Sequence, residues 1–234
     1  MELMGMTFSG NRPVNEDCIF YRTEGDRTVA VVADGLGGCD DGDTASRKVV
    51  DIFQEKMPVG KEEILESIQM ANKELFNAEN HVRGMKSTVV ALGVQNGQVC
   101  YGHVGDSRLY YFCDNQLIFR SLDHSVTQLA VLSGEIKEEE MRFHEDRNKL
   151  LRAIGAGEDV KPVIMEFGEL EKGRHIFLMC TDGFWEYVTE EEMLHCIRKG
   201  TAERICERLG KRWKKKTHRK DNVDNSSLLV VCLP

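Results

Sequence analysis

Short apolar runs that stop at glycine, aspartate or asparagine constrain this chain more than any other feature. RTVAVVAD, STVVALGV, QVCYGHVG, SRLYYFC, QLIFRSL, PVIMEF, HIFLMC and SLLVVCL are rich in Val, Ile, Leu and aromatic residues. Runs of this length and composition read as β-strands. The Asn-Gly pair within residues 95–98 suits a type I′ turn, and CDNQ at 113–116 joins the next two runs, so residues 88–121 read as an antiparallel meander.

Helical periods occupy separate blocks. Ala45, Val49, Ile52, Phe53 and Met57 recur at steps of three and four in 44–57, and Ile64, Leu65, Ile68 and Leu75 do so in 61–79. Pro58 and Gly60 separate these blocks, which predicts an antiparallel helical hairpin. Thr189 with Glu192 is a capping-box signature for a helix to about 198, and Ile205, Leu209 and Trp213 form one stripe of a helix over 201–215. Charged, short helical pieces fill 123–155 between two strands, as a surface flap would. Strands grouped together and helices grouped in pairs favour an α+β layered fold over a doubly wound parallel one.

With 234 residues and 41% hydrophobic content, the chain can bury a sizeable core, and no Pro- or Ser-rich linker divides it, so a single domain over 1–234 is expected. A net charge of -8 argues against nucleic acid as the main partner. None of the eight cysteines forms a C-x-x-C pair, and Cys180 and Cys232 lie in apolar runs, as small buried thiols in a reducing compartment would. The N-terminus lacks a signal pattern and no run approaches membrane-spanning length, so a cytoplasmic, soluble monomer without membrane contact is expected.

VVADGLGGCDDGD at 31–43 is an apolar run breaking into an acidic, glycine-rich turn. A phosphate cradle is disfavoured, because Asp34, Asp40, Asp41 and Asp43 would repel the anion and no Lys-Ser/Thr pair follows. A hard divalent cation suits carboxylate and carbonyl oxygens better, and a solvated acidic loop is the plain alternative. Three more runs meet an aspartate at an end: VGDSR with Asp106, CTDGF with Asp182 and VDNSSLLVV with Asp224. RPVNEDC adds Glu16 and Asp17. Singly, each is an ordinary turn residue. Gathered at one sheet edge, they would repel one another by several kcal/mol unless divalent cations neutralised them.

In this order, GNRPVNED, VVADGLGG, STVVALG, HVGDSRLYYF, LDHSVTQLAVLSGEI, NKLLRAIG, FLMCTDGFWEYV and DNSSLLVV cover essentially the whole chain. The set resembles the type 2C, metal-dependent protein serine/threonine phosphatases, particularly their small bacterial branch. The resemblance implies a four-layer α-β-β-α sandwich, two antiparallel sheets flanked by helix pairs, with a metal site at one edge of the sheets. It implies two Mn²⁺ or Mg²⁺ ions and a possible third. Asp34 would bridge two ions, Glu16 and the carbonyl of Gly35 would serve one, and Asp182 and Asp224 the other. Asp106 would hold the third with Asp182. Asp17 would orient metal-bound water, and Arg12 would grip the substrate phosphate with its planar guanidinium. In-line attack by a metal-bridging hydroxide on phosphoserine or phosphothreonine would follow, opposing a serine/threonine kinase.

Three positions depart from the family pattern or are ambiguous. Leu36 stands where eukaryotic members often carry a proposed general acid, leaving the proton donor unassigned. Lys86 stands where Gly is usual. Asp221 or Asp224 could be the last ligand, and Asp224 is preferred because Ser227 and the strand LLVV then fall into register. His124 reads as a structural hydrogen-bonding residue, His103 as a packed strand residue, and Cys39 as a thiol without an evident activating cation. Ser87, Ser107 and Ser125 lack a G-x-S-x-G setting.

KRWKKKTHRK at 211–220 packs seven Lys or Arg into an acidic protein. It reads either as a solvated helix end favoured by the dipole or as a basic approach to the metals that attracts acidic phosphoproteins. A non-catalytic phosphoprotein-binding regulator on the same fold is the alternative function. The joint presence of Glu16, Asp34, Asp182 and Asp224 argues against it.

Overall fold

The structure is a computed structural model that describes residues 1–36, 41–77 and 84–234, leaving out the side chain of Glu169. Along β3 (Arg27–Leu36) alternate residues serve two different cores. Val29, Val31 and Ala33 pack against Ala45, Val49 and Phe53 of α1 (Gly42–Lys56) and Ile64 and Ile68 of α2 (Lys61–Leu75). Ala30 and Val32 face the other way, into a cluster with Leu109, Tyr111, Phe177, Met179, Leu229 and Val231. A strand alternates its side chains between faces, so burial on both sides explains why this run is continuously apolar.

The second cluster lies between two antiparallel sheets. One has the order β1 (Glu2–Phe8), β11 (Ser226–Leu233), β10 (His175–Cys180), β7 (Arg108–Cys113), β8 (Gln116–Arg120). The other runs β2 (Asp17–Glu24), β3, β5 (Val89–Gln95), β6 (Gln98–Val104), β9 (Val163–Glu169), with the two-residue β4 (Lys86–Ser87) paired to the end of β3. A third cluster joins Leu178, Cys180, Leu228 and Val230 to α4 (Asp182–Trp185), α5 (Glu190–Ile197) and α6 (Ala202–Thr217) through Trp185, Met193, Ile205, Leu209 and Trp213. Helices on both outer faces complete the expected α-β-β-α layering.

α1 stops at Met57, whose left-handed backbone precedes Pro58, and α5 opens with the Thr189–Glu192 capping box. The second helix is shorter than the period suggests. It ends at Leu75, where Phe76 N–H closes on Asn72 O, and residues 78–83 lie outside the described residues.

The meander expected over 88–121 is two hairpins in different sheets. β5 and β6 pair in one, β7 and β8 in the other, and Gly105 between them takes φ +107. A Cβ there would stand 2.6 Å from Thr88 Cγ2, so glycine is required where the chain crosses over. β1 and β2 are further strands without a strong apolar run, because both sit at sheet edges and are largely half-buried or exposed. Between β8 and β9 the chain forms α3 (Val126–Ser133), capped by the Ser125 hydroxyl, and a 3-10 turn at Glu138–Phe143.

Candidate active site

The sheet order brings the strand-end carboxylates together. Asp17 and Asp34 are direct cross-strand partners of β2 and β3. Asp182 follows β10 and Asp224 precedes β11, two strands paired side by side. Asp106 occupies the crossover after Gly105. The two sheets touch here, since Thr181 Oγ1 donates to Asp17 Oδ2 at 2.9 Å.

Crowding raises the carboxyl pKa values. Burial first, then the charges of Asp182 and Asp224, push Asp17 up to about 8 against hydrogen bonds that lower it. Burial and Asp224 push Asp182 up to about 6. Asp34 is driven well above the usual range by loss of hydration and by Asp17, Asp182, Asp106 and Asp224. Asp106 is driven up by burial and by Asp182 and Asp123. Like charges in a low dielectric favour the protonated form unless a cation intervenes.

Glu16 and Gly35 meet beside this group. Gly35 N–H donates to Glu16 O, and a Cβ on Gly42 would collide with Glu16 Oε1 and stand 3.0 Å from Gly35 O. The carboxylate of Glu16 and the carbonyl of Gly35 therefore flank one small space that only glycine at position 42 leaves open. Asn225 pins the preceding loop, donating to Ser9 O and Val14 O while its Oδ1 accepts Glu16 N–H at 2.9 Å. Arg12, at the mouth, is bidentate to Asp224, with Nε and Nη2 at 3.0 and 2.9 Å. Asp221 is exposed, whereas Asp224 is half-buried and acts electrostatically on Asp17, Asp34 and Asp182.

The donor set fits a hard divalent cation. It is all oxygen, mostly anionic, and Asp17 Oδ1 is buried without a hydrogen-bond partner among the described residues. Among the described residues no three His, Cys, Asp or Glu side chains close on a single point, so any ion here would complete its shell with carbonyl and water oxygens. Asp40 and Cys39 lie outside the described residues.

Several participants carried no signal in the sequence. Arg147, from the segment between β8 and β9, pairs with Glu186 at 3.0 Å, and burial followed by the charge of Asp182 pushes Glu186 up to about 7. Trp185 Nε1 donates to Asp106 O at 2.9 Å. Thr181 could have been suspected from its place beside Asp182. His124 Nδ1 accepts from Gly105 N–H and stacks on buried His103 at 4.4 Å, a structural role for both. Ser87, Ser107 and Ser125 are buried. Leu36 and Lys86 are cross-strand partners of β3 and β4.

A family model described as Protein phosphatase 2C matches residues 9–218. The chain belongs to the protein phosphatase 2C family. A serine/threonine phosphatase stp from Listeria welshimeri is 32% identical over 185 residues, covering 74% of this chain and 73% of the relative. The solved serine/threonine phosphatase Stp1 from Staphylococcus aureus superposes with a TM-score of 0.87 at 26% identity, covering 100% of this chain and 96% of that one. The catalytic domain of serine threonine protein phosphatase PstP, solved in complex with two manganese ions, shares the fold with a TM-score of 0.81 at 22% identity, covering 100% and 99%. Protein phosphatase 2C enzymes are metal-dependent, in keeping with a carboxylate edge that has too little positive charge of its own. Among the described residues no helix is long and apolar enough to cross a membrane.

Proposed function

We propose that this protein is a metal-dependent phosphatase of phosphoserine and phosphothreonine in proteins. The observation that supports this reading most is the convergence of Asp17, Asp34, Asp106, Asp182 and Asp224, from both sheets, on one partly buried edge beside Arg12. Asp34 with Glu16 and the Gly35 carbonyl would hold one Mn²⁺ or Mg²⁺ ion, Asp34 with Asp182 and Asp224 a second, and Asp106 with Asp182 a third. When bound, the ions supply Lewis acidity that makes water a nucleophile near neutral pH and offsets charge on the phosphoryl oxygens.

The protein's own residues orient the reactants. Asp17, held by Thr181, would hydrogen-bond through Oδ1 to the attacking water and orient it in line with phosphorus. Arg12 exchanges Asp224 for the substrate phosphate, whose oxygens match the same bidentate fork. Water oxygen bonds to phosphorus as the bond to the serine or threonine oxygen breaks, and the proton that water loses ends on that leaving oxygen, giving the alcohol and inorganic phosphate. The residues at 123–155 act as a flap over this edge through Arg147. We place the enzyme in the cytoplasm as a monomer opposing a serine/threonine kinase.

Phosphate release from a phosphothreonine peptide, with Mn²⁺, with Mg²⁺ and with EDTA, tests the reading. Activity should need metal and fall at least about a hundredfold in Asp182→Asn. A folded protein inactive under every condition would be a phosphoprotein-binding regulator instead.

A further inference from the structure

The cationic segment at the end of α6 takes no part in the chemistry above, yet the fold sets it against the same edge. Trp213 Nε1 donates to the carbonyl of Gly183, next to Asp182, at 2.7 Å, and its ring stacks on Phe8 at 4.7 Å. Lys214 lies over the Phe8 ring at 5.1 Å, and Phe8 leads into the loop that carries Arg12. Lys220 lies over the ring of Tyr187 at 4.7 Å, beside Glu186. The loop after the segment is stitched to the Arg12 loop, with Asn11 N–H on Val223 O at 2.8 Å and Val223 N–H on Asn11 Oδ1 at 3.0 Å.

Four of the seven cations are placed by their contacts, two facing α5 and two facing aromatic rings. Arg212 and Lys216 turn to Glu192 on α5, at 3.7 and 2.8 Å. Lys214 and Lys220 are exposed, rest on aromatic faces and make no ion pair with a described residue. A helix dipole favours cations only within its last turn, which Lys214, Lys215 and Lys216 already fill. Arg219 and Lys220 lie beyond it, so the dipole does not account for them.

We propose that Lys214 and Lys220 form a docking edge for acidic residues that flank the phosphorylated serine or threonine of a protein substrate. This rests on the phosphatase reading and names its substrate class. The edge stands beside the arginine proposed to grip the phosphate, so an acidic flank reaches it while the phosphoryl group sits at the carboxylates. Positive charge there, on a chain of net charge -8, selects acidic sequences and speeds their encounter.

Two phosphothreonine peptides with the same core, one flanked by Glu and one by Ala, test the proposal through the ratio of their kcat/KM values. The wild type should favour the acidic peptide by about fivefold at low salt, through KM, and lose the preference at about 0.5 M salt. Lys214→Glu with Lys220→Glu should invert the ratio, and the corresponding Gln pair should bring it to about one. Lys61→Glu, at the start of α2, should leave the ratio as in the wild type. A wild-type ratio near one, or a ratio the Glu and Gln pairs do not move, overturns the docking edge. Wild-type turnover of p-nitrophenyl phosphate separates the two ideas: turnover with a ratio of one sinks docking alone, and no turnover sinks the phosphatase reading with it.

Discussion

Arg108 and Asp106 stand at the same crossover between sheets, both almost completely buried, and the fold treats their charges in opposite ways. Arg108 has its counter-charge built in. Asp123 accepts Nε and Nη2 at 2.7 Å each, Tyr110 accepts from Nη1, and the guanidinium lies 3.5 Å over the Trp185 ring. Asp106 faces Asp182 and Asp123 instead, and its carboxyl is pushed far above its usual range. One cluster is electrically complete without help. The other holds more negative charge than it neutralises, which is the signature of a place meant for something positive from outside.

Removing the charges should therefore have opposite effects on stability, and this is the largest expected difference. Arg108→Met leaves Asp123 buried and unpaired and should cost about 3–5 kcal/mol in urea unfolding. Asp106→Asn in EDTA relieves repulsion in nearly the same volume and should be neutral or stabilising. Equal destabilisation by the two variants would end the contrast.

A smaller effect should appear with pH. Asp17, pushed to about 8, keeps its proton when folded and releases it when unfolded, so its contribution is full below the ordinary carboxylate range and is lost as pH rises toward 8. His103 and His124, pushed down to about 4 and 3, are neutral when folded and act in the opposite sense only below about pH 6.5. Between pH 6.5 and 8.5 the melting temperature in EDTA should thus fall, and saturating Mn²⁺ should flatten the slope. A flat profile in EDTA would mean the carboxylates are already neutralised from within.

The smallest effect tests the edge of the paired cluster. Tyr110 OH links Arg108 to Glu190, at 3.2 Å on each side, and Arg142 holds Glu190 from the segment between β8 and β9 at 2.8 Å. Tyr110→Phe should cost about 1 kcal/mol, because Arg108 keeps Asp123. A loss as large as that of Arg108→Met would show the network to be one indivisible unit.

Much of this was legible in the chain itself. Doubly buried strands such as β3 and β10 announce themselves as continuous apolar runs, and Thr189 with Glu192 marks a helix start through a local hydrogen bond. The aspartates that end those runs could be grouped by residue type and motif order. Edge strands β1 and β2 could not be read, since half-buried faces leave no strong pattern. The crossover at Gly105 also escaped, because a hairpin and a change of sheet demand the same turn residues.

Local sequence determined where strands begin and end, which faces are apolar and which carboxylates stand at strand tips, since these depend on alternation and near-neighbour hydrogen bonds. Tertiary structure alone decided that Thr181 would hold Asp17, that Asn225 would pin the loop of Glu16, that Arg12 would grip Asp224 and that a basic helix end would border them. Those contacts join residues up to 212 positions apart. Pairings at such separation are set by the order of strands in two sheets and by the packing of helices upon them, which no local pattern encodes.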